Sequence, residues 1–78
     1  GLALRPDLTG HGHGLAFVQA GMQFARARYA PAAFVLFVAA FNQRAVTVYE
    51  RAGFHKVRRR LRFTNHGPLL CWEMRCAA

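Results

Sequence analysis

The run AFVLFVAAF, residues 33–41, is apolar at every position and bounded by Pro31 and Asn42. An apolar run of this length without alternation suits a strand covered on both faces, as in a parallel sheet. A chain of 78 residues hides only a modest fraction of its surface, so it holds one small domain arranged around this strand. Ahead of it, Phe17, Val18, Gly21, Met22 and Ala25 recur at the spacing of one helix face, which predicts a helix from Gly14 to about Arg28, stopped by Tyr29-Ala30-Pro31. Behind it, Asn42 is a natural N-cap for a short helix to about Ala52, closed by Gly53. Two further strands, roughly 54–63 and 69–76, flank TNHGP, whose Asn, Gly and Pro make a hairpin turn. At the start, residues 2–4 read as the end of a strand and Arg5-Pro6-Asp7 as a turn, because Pro fixes its own φ and pushes its predecessor to an extended conformation. The order is strand, helix, strand, helix, hairpin: an α/β chain with an α+β mixed sheet, without repeats or linkers, read as one partial domain over residues 1–78.

Charge narrows the partners. Eleven Lys and Arg against Asp7, Glu50 and Glu73 leave +8, an excess that implies an anionic partner. Six of the eleven lie between Arg51 and Arg62, around the run KVRRRLR. A nucleic-acid binder has such a charge pattern, but no aromatic residues for base stacking are interleaved with this run. Val57, Leu61 and Phe63 alternate through it, so the plainer reading is a solvated strand face with one buried side. Cys71 and Cys76, five apart on an extended segment, point to opposite faces and are not placed to bond to each other. That pattern suits a reducing, cytoplasmic setting. No apolar run approaches the roughly 18 residues of a membrane span.

The stretch RPDLTGHGHG places Gly10, Gly12 and Gly14 at alternate positions between a strand and a helix. Glycines there remove the side chains that would keep a phosphate away from backbone N–H groups, and the helix N-terminus adds a favourable partial charge. The stretch is a phosphate cradle candidate. It lacks the Lys-Ser or Lys-Thr of a Walker-type loop, and its spacing is not that of the dinucleotide fingerprint.

Two segments together point to a family. LALRPDLTGHGHG resembles the end of the fourth strand, the Pro-containing turn and the pyrophosphate loop of the GNAT superfamily of N-acetyltransferases, and LFVAAFNQRAVTVYERAGF resembles its fifth strand, Asn, short helix bearing Tyr, and closing Gly-Phe. Thr9 stands where the family usually has Arg or Gln, while Gly12 and Gly14 are in place. The resemblance implies a truncated GNAT-like fold comprising the C-terminal, acetyl-coenzyme A binding half, and an acyl-CoA-dependent transfer of acetyl to a primary amine. By the same resemblance, backbone groups of Leu2 and Leu4 pair with the pantetheine arm, and amides from Thr9, Gly10, His11, Gly12, His13 and Gly14 hold the pyrophosphate. Asn42 contacts the pantetheine or positions the following helix, and Tyr49 protonates the departing thiolate, a task suited to a phenol whose pKa lies near that of a thiol. No residue presents itself as the base for the amine.

Each of these residues has a plainer role beside the chemical one. Asn42 can be only a cap, Tyr49 only a ring packed between helix and sheet, and Glu50 and Glu73 only solvated carboxylates. His11 and His13 with Cys71 and Cys76 do not have the spacing of a zinc site, so no metal is expected, and the histidines read as loop residues beside phosphates. Trp72 and Met74, on alternate positions of the last strand, read as core. The family's acceptor side precedes the part seen here. Its absence from the chain exposes a strand edge, so a homodimer or higher oligomer is expected. The alternative is a non-catalytic remnant of the fold that binds nucleic acid or another anion through its basic surface.

Overall fold

The computed structural model describes residues 13–78. Within them the order is α1 (His13–Tyr29), β1 (Ala33–Ala39), α2 (Gln43–Arg51), β2 (His55–Thr64) and β3 (Gly67–Ala77). This is the expected α/β order, helix, strand, helix, hairpin. The leading strand read from residues 2–4 lies outside the described residues.

α1 forms on the stripe Val18, Met22 and Ala25, all buried, whereas Phe17, expected on the same stripe, sits on its shoulder at 40% exposure. The helix ends where Ala30 turns to φ +46 and donates its N–H to the Arg26 carbonyl at 3.1 Å, just ahead of Pro31. Arg26 and Arg28 in the last turn complement the negative end of the helix dipole. The Arg26 guanidinium also lies 5.4 Å from the centre of the Phe34 ring, joining this end of α1 to β1.

The sheet has the order β1-β3-β2 with both pairings antiparallel. Among the described residues β1 pairs with β3 alone, antiparallel, and is covered on one face only, while the leading strand read from residues 2–4 lies outside them. Phe34, Leu36 and Val38 pack towards the helices, while Val35 and Phe37 are 53% and 43% exposed on the other face. An unbroken apolar run carries no information about sidedness, and here both helices contribute to one core on one side. That core consists of Val18, Met22, Val38, Ala45, Val46, Phe54, Met74 and Cys76. β3 is central, so Met74 is fully enclosed and Trp72 packs beside it, as their alternation indicated.

β2 corrects an expectation, because all ten of its residues are exposed and neither of its faces is buried. It lies at one edge of the described sheet, with β1 at the other, and none of its side chains joins the core. Val57 sits at a register shift between Lys56 and Arg58, and Leu61 and Phe63 are 58% and 80% exposed. A bulge and a dense run of basic side chains are what keep an outer strand from pairing with another chain. The hairpin closes through Asn65-His66, with Gly67 at φ +103, a conformation that favours glycine. The Thr64 hydroxyl accepts from the His66 N–H at 3.1 Å and donates to the Gly67 carbonyl at 2.9 Å. Cys71 and Cys76 are both buried free thiols; Cys76 joins the core while Cys71, of opposite parity on β3, does not.

Candidate functional site

Helix α1 starts at His13, so the glycine-rich stretch runs directly into its first turn, where Gly14 lies. The N–H groups of a first turn have no partner within the helix, and here the turn carries no acidic side chain to offset them. That end of α1 is therefore a positive, donor-rich point next to His13, whose side chain is exposed. Leu2, Leu4, Thr9, Gly10, His11 and Gly12 lie outside the described residues.

Asn42 takes the capping role its position indicated. With φ −87 and ψ 75 it stands just outside α2, and its Oδ1 accepts from the Ala45 N–H at 3.2 Å while its carbonyl accepts from the Val46 N–H at 3.1 Å. Asn42→Ala is expected to destabilise the chain by about 1 kcal/mol, the ordinary cost of a lost N-cap. Urea unfolding measures it, and an unchanged midpoint would leave the cap without energetic weight.

Tyr49 lies on the same helix, and the way that helix ends fixes its ring. The Gly53 N–H donates to the Glu50 carbonyl and the Phe54 N–H to the Tyr49 carbonyl, both at 3.0 Å, which is the paired pattern of a Schellman ending. It requires Gly53 at φ +107, where a Cβ would be strained and would also stand 3.3 Å from the Cys76 sulfur. The turn brings the Phe54 ring edge-on to Tyr49, with centroids 5.9 Å apart at 68°. Phe54 is buried, Tyr49 half-buried, and burial pushes the Tyr49 phenol above its ordinary pKa of 10.0. The contribution of Phe54 was missed in the sequence, although the Gly-Phe pair following Tyr49 by four and five residues was its signal.

The two glutamates are placed differently. Glu50 is exposed on α2. Glu73 accepts from Arg60 Nε at 3.0 Å, with Arg58 Nε at 3.8 Å, on the face of the sheet away from the helices. Strand register decided that pairing, and neither Arg is near Glu73 in sequence. An apolar groove of about 380 Å³ between α1 and β1, lined by Val18, Met22, Ala25, Phe34, Leu36 and Phe54, follows the later turns of α1 and not its first turn. No group of three or more His, Cys, Asp or Glu side chains is assembled for a metal ion among the described residues.

The match to known proteins follows this anatomy. The acetyltransferase (GNAT) family model matches residues 1–54, from the leading residues through the glycine-rich stretch, α1, β1 and α2 to Phe54. The chain belongs to the GNAT acetyltransferase family. No curated protein matches it. Among solved structures, this GNAT chain is similar to spermidine N-acetyltransferase SpeG from Vibrio cholerae in complex with CoA and spermine, with a TM-score of 0.79 and 20% identity over 99% of this chain and 47% of that one. The dodecameric form of the same Vibrio cholerae enzyme gives 0.78 and 20%, over 99% and 46%. AAC(6')-Ib in complex with ribostamycin and coenzyme A gives 0.70 and 24%, over 97% and 40%. At these identities the likeness establishes the fold: a GNAT-like arrangement that includes the hairpin beyond residue 54. The chain spans less than half the length of the structures it resembles.

Proposed function

We propose that this GNAT chain is the cofactor-binding half of an acyl-CoA-dependent N-acetyltransferase, taking acetyl from acetyl-coenzyme A to a primary amine. The observation that carries the proposal is the family match ending on Phe54, the residue that packs against Tyr49. In this reading the amides from Thr9 to Gly14, His11 and His13 included, hold the pyrophosphate at the positive end of α1, and backbone groups of Leu2 and Leu4 pair with the pantetheine arm. Asn42, its Oδ1 engaged by Ala45, has its Nδ2 group to offer to the pantetheine. Acetyl-coenzyme A supplies the activated thioester. A neutral amine attacks the thioester carbon, the C–N bond forms as the C–S bond breaks, and Tyr49 gives its proton to the departing sulfur. The raised phenol pKa keeps that proton in place throughout the neutral range.

SpeG is in complex with spermine and AAC(6')-Ib with ribostamycin, amines of different size, and the acceptor class proposed for this chain is a primary amine. SpeG from Vibrio cholerae forms a dodecamer, and we propose a homo-oligomer for this chain too, a dimer at the least, joined at an open sheet edge. Two buried free thiols accord with a cytoplasmic setting, and no helix among the described residues is long and apolar enough to cross a membrane.

Calorimetric titration with acetyl-coenzyme A at two salt concentrations tests the site. Saturable binding that requires the acetyl-pantetheine arm is expected, and Gly12→Asp is expected to abolish it by setting a carboxylate against the pyrophosphate. Unchanged affinity in that variant would remove the cradle assignment. The second reading, nucleic-acid binding by a non-catalytic remnant, draws on the full exposure of β2. It predicts that replacing Arg58, Arg59 and Arg60 by Ser flattens the salt dependence of RNA or DNA binding by about three units of slope. An unmoved slope would leave the run a solvated surface.

A further inference from the structure

The ending of α2 attaches Phe54 to Tyr49 at two points. The Phe54 N–H donates to the Tyr49 carbonyl at 3.0 Å, and the two rings meet edge-on, their centroids 5.9 Å apart and their planes at 68°. Both attachments follow from the spacing of the sequence. Ala52 caps the helix and Gly53 takes φ +107, so Tyr49 stands third from the last helical residue and Phe54 second beyond the cap, the two positions that a Schellman ending brings into contact.

The two rings differ in what else holds them. Phe54 is buried, at 6% exposure, in the cluster that joins Val18 and Met22 of α1, Val38 of β1, Val46 of α2 and Met74 of β3. Close packing from four elements restricts such a ring to one arrangement. Tyr49 packs against the margin of this cluster and is half-buried, so its ring takes its direction from the neighbour that cannot turn. Both attachments grip the ring and backbone of Tyr49 and not its hydroxyl, and the phenol oxygen is aimed as the far end of a fixed arm.

We propose, resting on the reading of Tyr49 as the general acid, that Phe54 is the positioning residue for its proton delivery, the edge-on ring fixing where the phenol oxygen stands as the C–S bond breaks. A contact between these two positions ordinarily does no more than close a helix end. Here the residue at one end of it bears the proton that the departing sulfur takes. Misplacing a reacting group by about 1 Å costs up to about a hundredfold in rate. Leu in place of Phe54 keeps an apolar side chain in the core but removes the ring edge, which loosens Tyr49 and admits water to a phenol whose proton is now held by burial.

The test is a double-variant cycle in the acetylating assembly: the parent, Phe54→Leu, Tyr49→Phe and the pair, each with its kcat and its KM for acetyl-coenzyme A. Phe54→Leu is expected to lower kcat about tenfold with KM held within about twofold. With Tyr49→Phe already in place the same substitution should cost less than about twofold, because no proton is left to aim. An equal fold-loss in both backgrounds, or a kcat for Phe54→Leu within about twofold of the parent where Tyr49→Phe is slow, would overturn the positioning role and leave Tyr49 as the acid. A Tyr49→Phe variant as fast as the parent would instead remove the acid itself, and the positioning role with it. A second readout needs no turnover. In the Tyr29→Phe chain, where Tyr49 is the one remaining phenol, ultraviolet titration should show Phe54→Leu moving its ionisation down towards 10.0, and an unmoved curve would also overturn the assignment. Circular dichroism over the same pH range establishes that the variant is folded, and Phe54→Met, which fills the site without a ring, takes its place if Leu unfolds the chain.

Discussion

Tyr49→Phe is expected to slow acetyl transfer by about 10²- to 10⁴-fold, the usual contribution of a positioned general acid, with acetyl-coenzyme A affinity unchanged. The substitution removes one hydroxyl and keeps the ring, so the edge-on contact with Phe54 and the Schellman ending of α2 survive. Steady-state rates in the acetylating assembly, set beside calorimetric affinity, separate the two effects. A variant within about threefold of the parent would make Tyr49 a packing residue only. The pH profile supplies an independent check. Burial holds the phenol above 10.0, so the alkaline fall in rate caused by loss of this proton should lie above that value and be missing from the Phe variant. The same shift acts on stability: the fold favours the neutral phenol, so this contribution is complete below 10.0 and is lost as pH rises from there through the folded-state value.

Met74→Ala is expected to destabilise the chain by about 2–5 kcal/mol. Met74 has no exposed surface, lies on the central strand with Leu36 and Lys56 as its cross-strand neighbours, and sits in the same cluster as Val46, which is equally enclosed. A domain of this size has a total stability of roughly 4–12 kcal/mol at the usual value per residue, so losing this one side chain removes a large share. Chemical denaturation followed by circular dichroism gives the number. A loss under about 1 kcal/mol would mean that the helices settle into the space, contrary to a core closed from both the helix and the sheet side.

Local chemistry was legible in the sequence wherever a residue acts through its own backbone or its near neighbours. Asn42 caps α2 because a short side chain with an acceptor reaches an N–H three residues on. Gly53 ends the same helix because its φ is positive. The alternation of Trp72 and Met74 is a property of any strand, and the hairpin turn follows from the residues that compose it. Pairing the two motif segments with a family rests on the same kind of local pattern, and residues 1–54 carry it.

What lay beyond the sequence was sidedness. AFVLFVAAF is apolar throughout, and nothing in it says that one face meets helices and the other does not. Val57, Leu61 and Phe63 alternate as a buried side would, yet β2 lies at an edge of the described sheet and all of its residues are exposed. The arginine run was a single basic stretch in the sequence; a bulge at Val57 and strand register sort it between two faces and bring Arg60 onto Glu73, thirteen residues away. Period and turn chemistry are set by covalent neighbours, so the order of elements from His13 onward, the cap of α2 and the family could be read from the residues alone. Which face is covered, and which charge meets which, depends on contacts between distant segments, and only the packed tertiary structure decided those.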